Sequence, residues 1–95
     1  MPRPKKHRKI SCRPPASYFK PIGIPMYELD EEILEADELE AVKLADLLKD
    51  SHEEAAQKMN ISRSTFGRIV ASARGKIADS LLNGKALRIS EIKTE

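Results

Sequence analysis

All six prolines of this 95-residue chain fall within its first 25 positions: Pro2, Pro4, Pro14, Pro15, Pro21 and Pro25. Each removes a backbone donor and biases the residue before it toward extended geometry, so residues 1–27 cannot hold a continuous helix. From residue 28 onward no proline interrupts the chain. The sequence therefore divides into a basic arm and strap (1–27), a helical body (28–84) and a short extended tail (85–95). That length suits one small domain with arms. Its four aromatics are Tyr18, Phe19, Tyr27 and Phe66, with no Trp, so a core must come from Leu, Ile, Val, Met and Ala. A body of about 60 residues hides only ~60% of its unfolded surface. A deep catalytic cavity is not expected, and the chain reads as a non-enzyme.

No apolar run approaches the ~20 residues of a membrane span. The basic start lacks the apolar region of a secretory signal, and Cys12, the one cysteine, has no partner for an internal disulfide. The expectation is a cytoplasmic protein with no membrane partner.

The formal net charge of +2 conceals segregation. Residues 1–27 carry Arg3, Lys5, Lys6, Arg8, Lys9, Arg13 and Lys20 and no acid, a block of +7. Residues 28–54 carry twelve acids against Lys43 and Lys49, a block of −10. Residues 55–88 return to +6 through Lys58, Arg63, Arg68, Arg74, Lys76, Lys85 and Arg88 against Asp79. Two basic zones around an acidic one point to an anionic partner met by both ends of the molecule. The acidic stretch Glu28–Glu40 is expected as a solvated face turned away from that partner.

Helical signals begin at Asp37, which with Glu40 forms a predicted capping pair. Leu39, Val42, Ala45 and Leu48 recur at helical spacing, with Ala41 and Leu44 widening the stripe, and Lys49-Asp50 ends it. Ser51 and Glu54 form an S-x-x-E capping box. The short helix it opens, His52 to Met59, has Ala55, Ala56 and Met59 as its inner face. Asn60 tolerates the left-handed conformation. Ser62 then caps a third helix that starts at Arg63 and keeps Phe66, Ile69, Val70, Ala73, Ile77 and Leu81 on one side for about five turns. Asn83-Gly84 stops it. The expected class is all-α, a three-helix body with an extended arm and tail. Residues 18–26 are apolar enough to dock on the body as a strap. Leu29–Ala36 fits either a helical turn or a short extended piece, and Ala86–Ile89 either a strand or a segment lying across the body.

The run from Glu54 to Val70 meets the size requirements of two helices crossing through a tight turn. Ala56 is small where the helices touch, Asn60 makes the turn, and Met59, Ile61, Phe66 and Ile69 are the apolar plugs. This is a helix-turn-helix pattern. With Phe66, Ile69 and Val70 inward, Arg63, Ser64, Gly67 and Arg68 face outward at the end that enters a major groove, where arginine takes guanine O6 and N7. These four are the candidate base contacts. Gly67 costs the helix about 1 kcal/mol against Ala, and close approach of a duplex is one reason to keep it. Ser62 and Thr65 suit phosphates at a helix start. Arg74, Lys76 and the arm cations Arg3, Lys5, Lys6, Arg8 and Lys9 complete the candidate phosphate contacts.

Asp37–Leu82 resembles the region-four helix-turn-helix of primary sigma factors, on Ser51-His52-Glu53-Glu54-Ala55-Ala56, Ile61-Ser62-Arg63-Ser64-Thr65 and Ser72-Ala73-Arg74-Gly75-Lys76. The whole chain is similar to a prokaryotic family of small DNA-binding proteins, domain of unknown function 134. The stretches that carry this are Met1-Pro2-Arg3-Pro4-Lys5, Phe19–Met26, Asp37-Glu38-Leu39-Glu40-Ala41, Arg63–Ile69 and Asn83–Ile89. The resemblance implies a helix-turn-helix that binds DNA. Relatives often have Cys where this chain has His7, which weakens any cysteine-based chemistry.

The spacing of His7, Cys12 and His52 fits no ordinary zinc pattern, so neither a metal nor another cofactor is expected. The function read from the sequence is double-stranded DNA binding by a transcriptional regulator, with two copies pairing on a two-fold site. The alternatives are an adaptor docking on the transcription machinery through its acidic face, or RNA binding through the basic arm.

Overall fold

A computed structural model describes Ile10 and residues 17–90. Three helices, α1 (Ala36–Val42), α2 (His52–Met59) and α3 (Arg63–Asn83), pack with three short strands, β1 (Tyr18–Phe19), β2 (Glu31–Leu34) and β3 (Ala86–Ile89). The sheet order is β1-β3-β2. The chain is thus mostly helical rather than all-α. The segment expected as a tail supplies the central strand. β3 runs antiparallel to β1, with Tyr18 opposite Arg88, and parallel to β2, with Glu31 opposite Ala86 and Leu34 opposite Ile89. The ambiguous stretch before α1 is therefore extended. It pairs with a strand more than fifty residues away, which no local pattern reports.

Two apolar clusters hold the body. One joins Ala41, Leu44, Ala55, Ala56, Met59, Phe66 and Val70. The other places Leu34, Ala73 and Ile89 between α3 and the sheet, with Leu39, Val42, Ile77 and Leu87 packed around them. Ala73 is fully buried, so the sheet approaches α3 closely there.

Several expectations need correction. The strap pairs through its backbone at β1, but Tyr18, Phe19, Ile22 and Ile24 stay exposed rather than docked. Gly23 turns the chain at φ +83°, and Lys20 Nζ donates to the Ile24 carbonyl at 2.6 Å, leaving Ile22 at the tip. The cap of α1 lies two residues earlier than Asp37–Glu40: Glu35 N–H donates to Glu38 Oε1 at 2.8 Å.

After Val42 the helix widens into a π turn, Lys43–Leu47. The wider turn shifts the angular register. Leu44 stays inside, while Leu47 and Leu48 face solvent. In α3 the inward ridge ends on Ser80, whose Oγ donates to the Lys76 carbonyl at 3.0 Å, and Leu81 is exposed. Glu38 and Glu40 are buried rather than solvated.

Candidate nucleic-acid interface

The end of the molecule that carries Arg63 and Arg68 is built by local capping. Ser51 N–H donates to Glu54 Oε1 at 2.9 Å and Glu54 N–H to Ser51 Oγ at 3.1 Å, so α2 starts where its sequence requires. Asn60 adopts φ 60°, ψ 46°. Its N–H donates to the Gln57 carbonyl at 3.1 Å and that of Ile61 to the Ala56 carbonyl at 3.0 Å. This paired closure satisfies the last carbonyls of α2 and turns the chain within three residues. Ile61 then packs on the first cluster. Ser62 Oγ accepts from Thr65 N–H at 3.1 Å and donates to Thr65 Oγ1 at 2.9 Å.

The two helices are locked across the turn. Ala56, Met59, Phe66 and Val70 are buried together. The His52 ring meets Phe66 edge-on, with centroids 5.2 Å apart, so the start of α2 lies against the first turn of α3. Arg63, Ser64 and Arg68 project to solvent from that turn and the next. Gly67 lies between them, with no atom within 4 Å of where a Cβ would stand. Ser62 is exposed and Thr65 half-buried; each hydroxyl is already engaged in the cap.

Farther along α3, Arg74 and Lys76 are paired with acids of the same chain. Arg74 forks onto Asp46, with Nη2 2.7 Å from Oδ1 and Nε 3.1 Å from Oδ2. That guanidinium holds the Asp46 carboxyl below the usual carboxylate range and is itself raised. Lys76 Nζ donates to Glu38 Oε1 at 2.8 Å and to the Ile33 carbonyl at 2.7 Å, tying α3 to both α1 and β2. Glu38 also accepts from Ser72 Oγ at 2.5 Å. Burial pushes the Glu38 carboxyl up, but Lys76, Ser72 and the Glu35 amide outweigh it and leave it below its ordinary value. Arg74 and Lys76 thus have structural partners that their positions in the sequence did not suggest.

The described cations divide into matched and unmatched groups. Lys43, Lys58, Arg74, Lys76, Lys85 and Arg88 each lie within 4.0 Å of a carboxylate oxygen. Lys20 sits on carbonyl oxygens. Among the described residues, Arg63, Arg68 and Lys49 alone are cations with no hydrogen bond or salt bridge. Arg3, Lys5, Lys6, Arg8 and Lys9, with His7 and Cys12, lie outside the described residues. Of the three metal-ligand candidates only His52 is described, and its ring packs on Phe66. No helix among the described residues is long and apolar enough to cross a membrane.

Residues 1–93 match the family model described as protein of unknown function DUF134. The chain is similar to a UPF0251 protein of Pelotomaculum thermopropionicum, with 56% identity over 90 residues covering 95% of this chain and 68% of that one. A UPF0251 protein of Caldanaerobacter subterraneus is 54% identical over 89 residues, covering 94% and 75%. One of Vibrio vulnificus is 56% identical over 89 residues, covering 94% and 89%. No solved structure matches the chain.

Proposed function

We propose that this chain, which belongs to the DUF134 family of unknown function, is a helix-turn-helix protein that binds double-stranded DNA sequence-specifically and acts in the cytoplasm as a transcriptional regulator. One observation carries the reading: Arg63 and Arg68 are exposed at the N-terminal end of α3 without an acid partner, while the cations farther along the helix are neutralised. In the proposed complex that end of α3 lies in the major groove. Arg63, Ser64 and Arg68 meet base edges, and Gly67 lets the helix surface come close. Ser62 and Thr65 meet phosphate through the capped start of the helix. The basic arm follows the backbone or enters the neighbouring minor groove.

Selection from random duplexes with the purified protein tests the reading. An enriched motif is expected, with Arg68→Ala losing about 1–3 kcal/mol of discrimination at one position. Equal loss by Arg68→Ala on every sequence would remove base reading. Leu81 and Leu82, exposed together at the far end of α3, support a second reading, an adaptor that docks on a protein of the transcription machinery. Absence of duplex binding at low salt, with retention of a polymerase subunit that Leu82→Glu abolishes, would favour it.

A further inference from the structure

Resting on the DNA-binding reading above, we infer that Lys49 is a phosphate-contacting residue that anchors the N-terminal side of α2 to the same duplex that α3 reads. Three independent features single it out. Its backbone is left-handed, at φ +64°, and apart from Asn60 it is the one such non-glycine residue described. Lysine gains nothing locally from that conformation, which asparagine or glycine adopts more readily. Its ammonium makes no hydrogen bond or salt bridge among the described residues, unlike the six matched cations of the body. Of the nearby acids, Asp46 has both oxygens taken by Arg74 and Asp50 holds Lys58 at 2.7 Å, so Lys49 attracts Asp46 only through space.

The third feature is placement. Arg63, Gly67 and Arg74, spaced by four and seven residues, share one flank of α3. The Arg74–Asp46 bridge sets the π turn against that flank, and Lys49 follows Asp46 by three residues. On its other side Lys49 precedes His52 by three, and the His52 ring lies 5.2 Å from that of Phe66 in the first turns of α3. Two fixed contacts therefore bracket Lys49, one at Arg74 midway along α3 and one at Phe66 near the end where Arg63 and Arg68 stand free. A long flexible cation there fits a phosphate as a point charge rather than a base edge, which favours the planar fork of arginine.

The test compares wild type, Lys49→Gly, Lys49→Arg and Arg68→Ala on a selected duplex and on a scrambled duplex of equal length, across a salt series. Lys49→Gly is expected to bind both duplexes more weakly by the same factor. The slope of log K against log salt should be shallower by about 0.9, equivalent to about five- to tenfold at 0.1 M salt. Lys49→Arg should keep wild-type affinity. Lys49→Gly relieves the left-handed backbone, so its melting midpoint should not fall; should it fail to fold, Lys49→Asn takes its place under the same criteria. Wild-type binding with Arg68-dependent preference but an unchanged slope in Lys49→Gly would overturn this inference alone. Loss confined to the selected duplex would also overturn it. No duplex binding by wild type would overturn the DNA reading and this inference with it.

Discussion

Replacing Lys76 by alanine should destabilise the fold in a manner that depends on pH. Lys76 Nζ lies 2.8 Å from Glu38 Oε1 and 2.7 Å from the Ile33 carbonyl, and the Glu38 side chain is only 9% exposed. Removing one member of a buried pair costs about 3–5 kcal/mol. The Lys76 side chain is 28% exposed, and solvent screening lowers the expected cost to about 2–3 kcal/mol at pH 7. In the wild type the folded Glu38 carboxyl titrates below its unfolded value. It therefore adds stability above about pH 4.3, lost as pH falls through the folded value. Without Lys76 the strongest group holding the carboxyl low is gone and its folded value moves up. Glu38 then contributes less stability above the unfolded value, so the deficit of the variant is largest at high pH. Urea unfolding at pH 7 and pH 4 should show the deficit of Lys76→Ala shrinking on acidification. The paired variant Glu38→Gln/Lys76→Met should recover most of the loss, because no charge is then stranded. A deficit equal at both pH values would refute the reasoning.

Gly67→Ala should raise stability by about 0.5–1 kcal/mol, since nothing stands within 4 Å of the added carbon, and should weaken duplex binding. Tighter binding by that variant would take Gly67 out of the interface. Phe66→Ala, at a fully buried position that also loses the His52 ring, should cost about 3–5 kcal/mol in urea unfolding. A loss below about 1 kcal/mol would mean that the α2–α3 contact does not hold the two helices together.

What the sequence reveals here is what neighbours within a few residues decide. Ser51 with Glu54, Asn60, and Ser62 with Thr65 act over three or four positions, and the bounds of α2 and the start of α3 follow from them. The strands at Glu31–Leu34 and Ala86–Ile89 were legible only as one of two alternatives each, and their pairing not at all, because they are four residues each and pair across more than fifty. Short strands carry too little alternation to separate from loop. The π turn was hidden because Leu47 and Leu48 continue an apolar pattern that one wider turn rotates outward. The exposure of Arg63, Ser64 and Arg68 followed from helical periodicity. The internal partners of Arg74 and Lys76 did not, because Asp46 lies 28 residues away and Glu38 lies 38 away.

That distinction bears on the charge blocks. An exposed ion pair contributes about 0–1 kcal/mol, so pairs such as Lys58–Asp50, both partners near the surface and 2.7 Å apart, do little to hold the fold. Their effect on the field is larger. A matched cation and carboxylate cancel beyond their own separation, and a lone cation is felt over about 8–10 Å at ordinary salt. From Arg74 to Arg88 every cation is cancelled in this way, while Arg63, Arg68 and Lys49 are not. If the chain binds DNA as proposed, the acids of residues 28–54 that pair with these cations need not face away from the duplex. Asp46 and Glu38 neutralise Arg74 and Lys76, so the unmatched cations of α3 are Arg63 and Arg68 at its N-terminal end. On the DNA-binding proposal, these are the α3 cations left to meet a duplex, at the end of the helix opposite the exposed Leu81 and Leu82.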